Sequence, residues 1–220
     1  MADLFTNKYF PSSFEEFIGN PEIVDSVKKW AVDWENGKIG KPLLFFGPPG
    51  CGKTCLALLS AKVFGWELFE LNASDFRTKD IVERLAGTAS QSRSFSGKHR
   101  LILLDEVDGL QSQDRGGAGA IVKILKESKN PVVLTANSIY SDQKLLPVRE
   151  ACQLMHFKKI NYLSIAKKLK EICSKEGIEF EEDAVKELAK SCSGDFRAAL
   201  LDLQSISFGG KISKQELNSV

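Results

Sequence analysis

The chain lacks any apolar run long enough to cross a membrane. Nothing in its 220 residues approaches the roughly 18 consecutive apolar positions that mark a spanning helix. The opening stretch, MADLFTNKYF, has no signal-peptide core. We therefore expect a soluble, intracellular protein with no membrane partner. Cysteine is sparse and scattered. Cys51, Cys55, Cys152, Cys173 and Cys192 form no C-x-x-C and have no paired histidine. That argues against a zinc site or a disulfide framework and for reduced thiols. An excess of one charge is missing too: the net charge is +1, although 27% of the residues are charged. Any surface for a polyanion must then be a local patch. There are no repeats and no low-complexity tracts. What is present is an ordinary globular composition, 43% hydrophobic, in a length that suits one large domain or one with a small companion.

Strand and helix signals alternate through most of the chain. Residues 5–20 read as extended. Asn20-Pro21 opens a helix, with a capping residue, proline at its first position and Glu22 in its first turn. Ile23, Val24, Val27, Trp30, Ala31 and Trp34 share one of its faces. Strands are predicted at 43–46, 66–71, 101–104, 131–136 and 153–157, and helices at 53–64, 78–89 and 118–127. Leu101-Ile102-Leu103-Leu104 is wholly aliphatic, as expected of a strand covered on both faces. The alternation predicts a parallel five-stranded α/β sheet flanked by helices over residues 1–160. Residues 161–220 change character. Amphipathic helices at 161–175, 183–191 and 196–206 predict a small all-helical domain. Ser213 would cap a fourth helix that the chain barely begins, the pattern of a truncated chain.

The chemistry starts at Gly47-Pro48-Pro49-Gly50-Cys51-Gly52-Lys53-Thr54, directly after Leu43-Leu44-Phe45-Phe46. This is a phosphate-binding loop in its proper context of strand, glycine-rich turn and helix. The glycines let backbone N–H groups face phosphate oxygens, and the following helix, with Cys55 in its first turn, adds its N-terminal dipole. Lys53 can reach the β- and γ-phosphates, and Thr54 can hold Mg²⁺. Cys51 reads as a small filler, with alkylation as the alternative. The strand ending in Asp105-Glu106 delivers two carboxylates to the edge where open α/β sheets bind ligands. Asp105 would bind Mg²⁺, and Glu106 would act as general base on the attacking water. Asn137 ends a further strand and can hold that water and sense the γ-phosphate; a plain turn is its alternative. In Ser193-Gly194-Asp195-Phe196-Arg197, Asp195 would cap a helix. Arg197 then sits in the first turn, where a cation opposes the dipole, which points to an anionic partner.

These motifs, in this order, resemble the AAA+ ATPases of the clamp-loader group. The closest resemblance is to the large-subunit family of replication factor C, archaeal type. Glu70-Leu71-Asn72-Ala73-Ser74-Asp75 is similar to that family's ELNASD segment. Asp105-Glu106-Val107-Asp108-Gly109-Leu110 followed by Asp114-Arg115-Gly116-Gly117 is similar to its DEVDGL…DRGG. Lys8-Tyr9-Phe10-Pro11 resembles the K-Y-R-P that opens the adenine pocket, with Phe10 where arginine is usual. The resemblance implies that Tyr9, Pro11, Ile18 and Val24 line that pocket, that ATP and Mg²⁺ bind, and that residues 161–220 form a lid. It implies clamp-loader small subunits, a sliding clamp and primer–template DNA as partners. The family's collar domain and clamp-binding tail do not appear in this sequence.

One departure from the group bears on mechanism. Small subunits carry Ser-Arg-Cys before the last strand, and that arginine enters a neighbour's ATP site. Here the stretch reads Glu150-Ala151-Cys152, and Arg149 is not equivalent. The chain should then receive an arginine and donate none. For DNA, Arg77, Lys79, Arg84, Arg115 and Lys123 are the candidates. Residues 84–100 also carry Arg93, Lys98 and Arg100 with no acid, so a basic patch and a solvated loop both fit. Gln91 and Phe95 lie in the same stretch, and Phe95 is a candidate apolar anchor for the clamp. A nucleotide-binding scaffold and another AAA+ machine, such as a branch-migration helicase, are the competing functions.

Overall fold

The structure, a computed structural model, describes residues 3–72, 99–109, 117–140, 142–207 and 211–214. Backbone contacts divide the chain into two compact units. The sheet unit holds Glu22–Gly47 and Lys53–Phe157. The helical unit holds Met1–Pro21, Pro48–Gly52 and Lys158–Val220. A single cut at residue 160 follows the chain; the contacts also gather its opening and the tip of the phosphate loop into the second unit.

In the sheet unit, β1 (Leu43–Phe46), β2 (Glu67–Asn72), β3 (Arg100–Asp105), β4 (Val132–Ala136) and β5 (Gln153–His156) form one parallel sheet in the order β2-β3-β4-β1-β5. The central strands are buried on both faces, which is why they read as continuous apolar runs. The ladders align Phe46 with Ala136 and Leu104 with Leu134, so β1, β3 and β4 end at one edge. On one face, Leu44, Ile102 and Leu134 meet Ile121 and Ile124 of a helix, Gly117–Glu127. The helix Lys53–Phe64 lies against β2, β3 and β4. In chain order the helices among the described residues are α1 (Phe5–Lys8), α2 (Pro21–Glu35), α3 (Lys53–Phe64), α4 (Gly117–Glu127), α5 (Leu146–Ala151), α6 (Tyr162–Glu176), α7 (Glu182–Ser191) and α8 (Phe196–Ser207). The predicted helix at 78–89 lies outside the described residues.

The helical unit is built from α1, α6, α7 and α8. Ile165, Leu169 and Ile172 of α6, Val185 and Leu188 of α7, and Leu200 and Leu203 of α8 make its core. Asn161 caps α6 by accepting from Leu163 N–H at 2.9 Å, and Gly177 ends it in the left-handed region. Three expectations are corrected here. Residues 5–20 are not simply extended: α1 and a 3₁₀ turn, Phe14–Glu16, interrupt them, because Phe5 and Phe14 are buried. Asn20 does not serve as an ordinary cap; at φ +50° its amide brackets Lys158, accepting from its N–H at 2.8 Å and donating to its carbonyl at 3.1 Å. The second unit is also not all-helical. A short parallel ladder, β6 (Glu179–Phe180) on β7 (Lys211–Ile212), closes it, and the chain is in β7 just before Ser213.

Candidate nucleotide-binding site

The edge of the sheet unit brings together groups from four elements. β1 runs into Gly47, whose N–H donates to Ala136 of β4 at 3.3 Å. Lys53 opens α3. It is 8% exposed, and its Nζ donates to the Gly47 carbonyl at 2.7 Å and to Oδ1 of Asn137 at 3.1 Å. These two bonds hold the Lys53 ammonium between the start of the loop and the end of β4. Thr54 donates its hydroxyl to Oδ1 of Asp105 at 2.9 Å. Thr135 donates to the same oxygen and, through its own Oγ1, accepts Glu106 N–H at 3.0 Å. The Thr54 hydroxyl and Asp105 carboxylate are hard oxygen donors of the kind Mg²⁺ takes, so this set fits that ion.

Glu106 stands in the left-handed region at φ +55°, where a non-glycine residue costs about 1–3 kcal/mol. The hydrogen bond to Thr135 holds the turn and leaves the Glu106 side chain exposed. An exposed carboxylate beside a half-buried, hydroxyl-bound one places two acids in different surroundings at one strand end. Thr135 was not singled out from sequence, since a threonine inside a β-branched strand reads as a strand former. Next to β3, partial burial, with the Asp105 carboxylate as a second cause, raises the Glu70 carboxyl above the ordinary value.

The helical unit carries the tip of the loop. Gly50 has φ +64° and its carbonyl accepts Phe196 N–H at 3.1 Å; a Cβ there would fall 1.7 Å from the Asp195 carboxylate. Asp195 caps α8 by accepting Ala198 N–H at 2.9 Å. The loop tip is thus bonded to the first turn that presents Arg197, which is exposed. Gly52 has φ +97°, and its missing side chain makes room for the Phe17 ring. Phe17 escaped the sequence reading because nothing local marks an aromatic as loop packing. Cys51 is fully buried and its thiol donates to the Pro48 carbonyl at 2.9 Å, a small filler inaccessible to alkylation.

The four residues proposed for the adenine pocket are distributed over both units. Tyr9 and Ile18 pack against the core of the helical unit, and the Tyr9 hydroxyl donates to Glu176. Pro11 is half-buried in the same unit, and Val24 is buried on α2 in the sheet unit. Ala151 packs against the core of the sheet unit at the end of α5, while Arg149 lies 4.3 Å over the Tyr140 ring. Arg100, counted in the basic stretch, is engaged in a fork with Glu67 at 2.9 and 3.1 Å. Lys123 is exposed. Arg77, Lys79, Arg84, Gln91, Arg93, Phe95, Lys98 and Arg115 lie outside the described residues.

A parallel sheet whose first strand feeds a glycine-rich loop, with two carboxylates and an amide on neighbouring strand ends, defines a phosphate-binding-loop nucleotide protein. The sequence model described as "ATPase family associated with various cellular activities (AAA)" matches residues 43–158, and the chain belongs to this family. A second, "RCF1/5-like, AAA+ ATPase lid domain", matches residues 167–208. Among curated relatives, the replication factor C large subunit of Methanococcus aeolicus is 42% identical over 98% of this chain and 46% of its own length. That of Methanothrix thermoacetophila is 44% identical over 94% of this chain and 44% of its own length. The chain therefore spans about half the length of the curated relatives it matches. Among solved structures, two variants of Thermotoga maritima RuvB share the fold at 18% identity. They have TM-scores of 0.72 and 0.75 and cover 95% and 96% of this chain and 71% and 72% of theirs. No helix among the described residues is long and apolar enough to cross a membrane.

Proposed function

We propose that this chain is the ATP-hydrolysing module of a clamp-loader large subunit. With small subunits it would open a ring-shaped clamp and place it on primed DNA. ATP binding would drive assembly and opening, and hydrolysis would drive release. The observation that carries this reading is the likeness to replication factor C large subunits across nearly the whole chain, loop, DEVDGL segment and lid together.

The chain's own groups divide the work as follows. The N–H groups of Gly47–Thr54 and the Lys53 ammonium bind the β- and γ-phosphates. Thr54 and Asp105 hold Mg²⁺, which neutralises charge on the phosphates when bound. Glu106 accepts the proton of the attacking water, and Asn137 orients that water. Arg197 follows the γ-phosphate from the helix that also holds Gly50. Tyr9, Pro11, Ile18 and Val24 line the base pocket. With Ala151 at the finger position the chain donates no arginine, and its own site is completed by a neighbour's, worth about 10³–10⁵ in rate.

The test is ATP turnover by the chain alone, then with small subunits, clamp and primed DNA. We expect slow turnover alone, strong stimulation in the full mixture, and loss of both with Glu106→Gln at unchanged ATP affinity. A rate for the isolated chain equal to that of the full mixture refutes the arginine in trans. Clamp loading that is unaffected by Glu106→Gln makes the chain a nucleotide-gated scaffold instead.

A further inference from the structure

β3 and β4 are paired up to Leu104 and Leu134, and beyond that point side chains take over their connection. Thr135 provides one bridge, to Asp105 and to Glu106 N–H. Asp108 provides the other. After the turn at Glu106 the chain closes a 3₁₀ turn, Val107–Gly109, with Gly109 N–H donating to the Glu106 carbonyl at 2.8 Å. Val107 is fully buried and anchors the turn in the core of the sheet unit. The turn sends the Asp108 carboxylate back to the exit of β4, where one oxygen, Oδ2, accepts Asn137 N–H at 2.9 Å and Ser138 N–H at 3.2 Å. The other oxygen, Oδ1, is buried with no hydrogen-bond partner among the described residues. The two Oδ2 contacts give the Asp108 carboxylate a structural task at the end of β4.

That task is visible in what Asn137 does next. Its backbone is pinned by Asp108, and its side chain accepts the Lys53 ammonium at 3.1 Å. Asp108 lies two residues beyond Glu106 in the same turn. One carboxylate thereby fixes the strand end bearing Asn137 relative to the turn bearing Glu106, over a stretch where no sheet ladder does so.

We propose that Asp108 is a positioning residue for ATP hydrolysis: it sets the separation of Glu106 and Asn137 without touching substrate. The proposal rests on the ATPase reading above and goes beyond it in assigning a role to the second acid of the DEVDGL segment. Groups that orient a reacting residue typically account for about 10- to 100-fold in activity. Asp108→Ala should lower the single-turnover hydrolysis rate by that factor while ATP affinity stays within about threefold of wild type. Asp108→Asn keeps one acceptor oxygen for the two N–H groups and should recover most of the rate. Amide hydrogen exchange of Asn137 and Ser138 should speed up in Asp108→Ala and stay near wild type in Asp108→Asn. If Asp108→Ala does not fold, Asp108→Glu replaces it: the oxygens move by a methylene, and the same rate loss is expected. Wild-type turnover in Asp108→Ala, or equal losses in rate and ATP affinity, overturns the proposal. So does an Asp108→Asn rate no better than that of Asp108→Ala. Glu106→Gln runs in parallel. If it leaves turnover intact, the general-base role of Glu106 fails and with it the reading on which the proposal rests; if it abolishes turnover while Asp108→Ala does not lower it, only the role of Asp108 falls.

Discussion

Thr54 and Thr135 both donate to a single oxygen of Asp105, the first at 2.9 Å. A hydroxyl from the loop helix and one from β4 thus converge on the carboxylate that ends β3. If this is the Mg²⁺ end of the site, Thr54→Ala should lower ATP affinity by about 10- to 100-fold in Mg²⁺ and leave affinity in EDTA unchanged. Titration with a fluorescent ATP analogue under both conditions reads this directly. Equal losses in the two conditions would mean that Thr54 only supports the loop.

Gly50 faces the Asp195 carboxylate with no room for a side chain. Gly50→Ala forces an L-residue to hold φ +64° and displaces the carboxylate that caps α8. The backbone term is about 1–2 kcal/mol and the cap about 1 kcal/mol. For a chain of this size the melting temperature should fall by about 4–12 °C. In an Asp195→Ala background the same substitution should cost less, since the two losses share a contact. Additive shifts in the double variant would show that the two sites do not meet.

The Tyr9–Glu176–Lys8 cluster makes stability depend on pH at both ends. Hydrogen bonds from Lys8 and then Tyr9 hold the Glu176 carboxyl below its ordinary value. Its contribution is therefore present above the unfolded carboxylate range, about pH 4.3, and is lost as pH falls through the lower folded value. Burial, with Glu176 next, raises the Tyr9 hydroxyl well above the ordinary tyrosine value, so stability is lost as pH climbs beyond about 10. Tyr9→Phe should flatten the alkaline limb of a stability–pH curve, and Lys8→Ala should flatten the acid limb. An unchanged curve in both variants would rule the cluster out.

Gln204 ties the start of the chain to α8: its Oε1 accepts Phe5 N–H at 2.8 Å and its Nε2 donates to the Asp3 carbonyl at 3.2 Å. Gln204→Leu leaves a buried N–H unpaired, a loss of about 1–3 kcal/mol. Phe5 amide exchange should accelerate and the denaturation midpoint should drop. A midpoint within error of wild type would mean that solvent replaces the amide.

The strands were legible because burial on both faces writes itself as uninterrupted aliphatic sequence; β1, β3 and β4 lie within a residue of their predicted bounds. The placement of the phosphate loop, Asp105, Glu106 and Asn137 at strand ends was legible because each directly follows a buried apolar run. α1 and α5 were not, because helices this short draw little stability from propensity and form through tertiary contacts. Thr135, Phe17 and Asp108 act through partners 30, 35 and 29 residues away, respectively, and no local pattern announces such pairings.

The core of the helical unit includes Phe5, contributed from the opposite end of the chain to α6, α7 and α8. A chimera that transplants residues 158–220 alone would carry a hole where that ring belongs and an orphaned Gln204 amide. It would also lack Tyr9 as a partner for Glu176. Exchange of this unit between proteins, in evolution or at the bench, must therefore move distant stretches of the gene together. The codons for Phe5 and Tyr9 are as much a part of it as its helices.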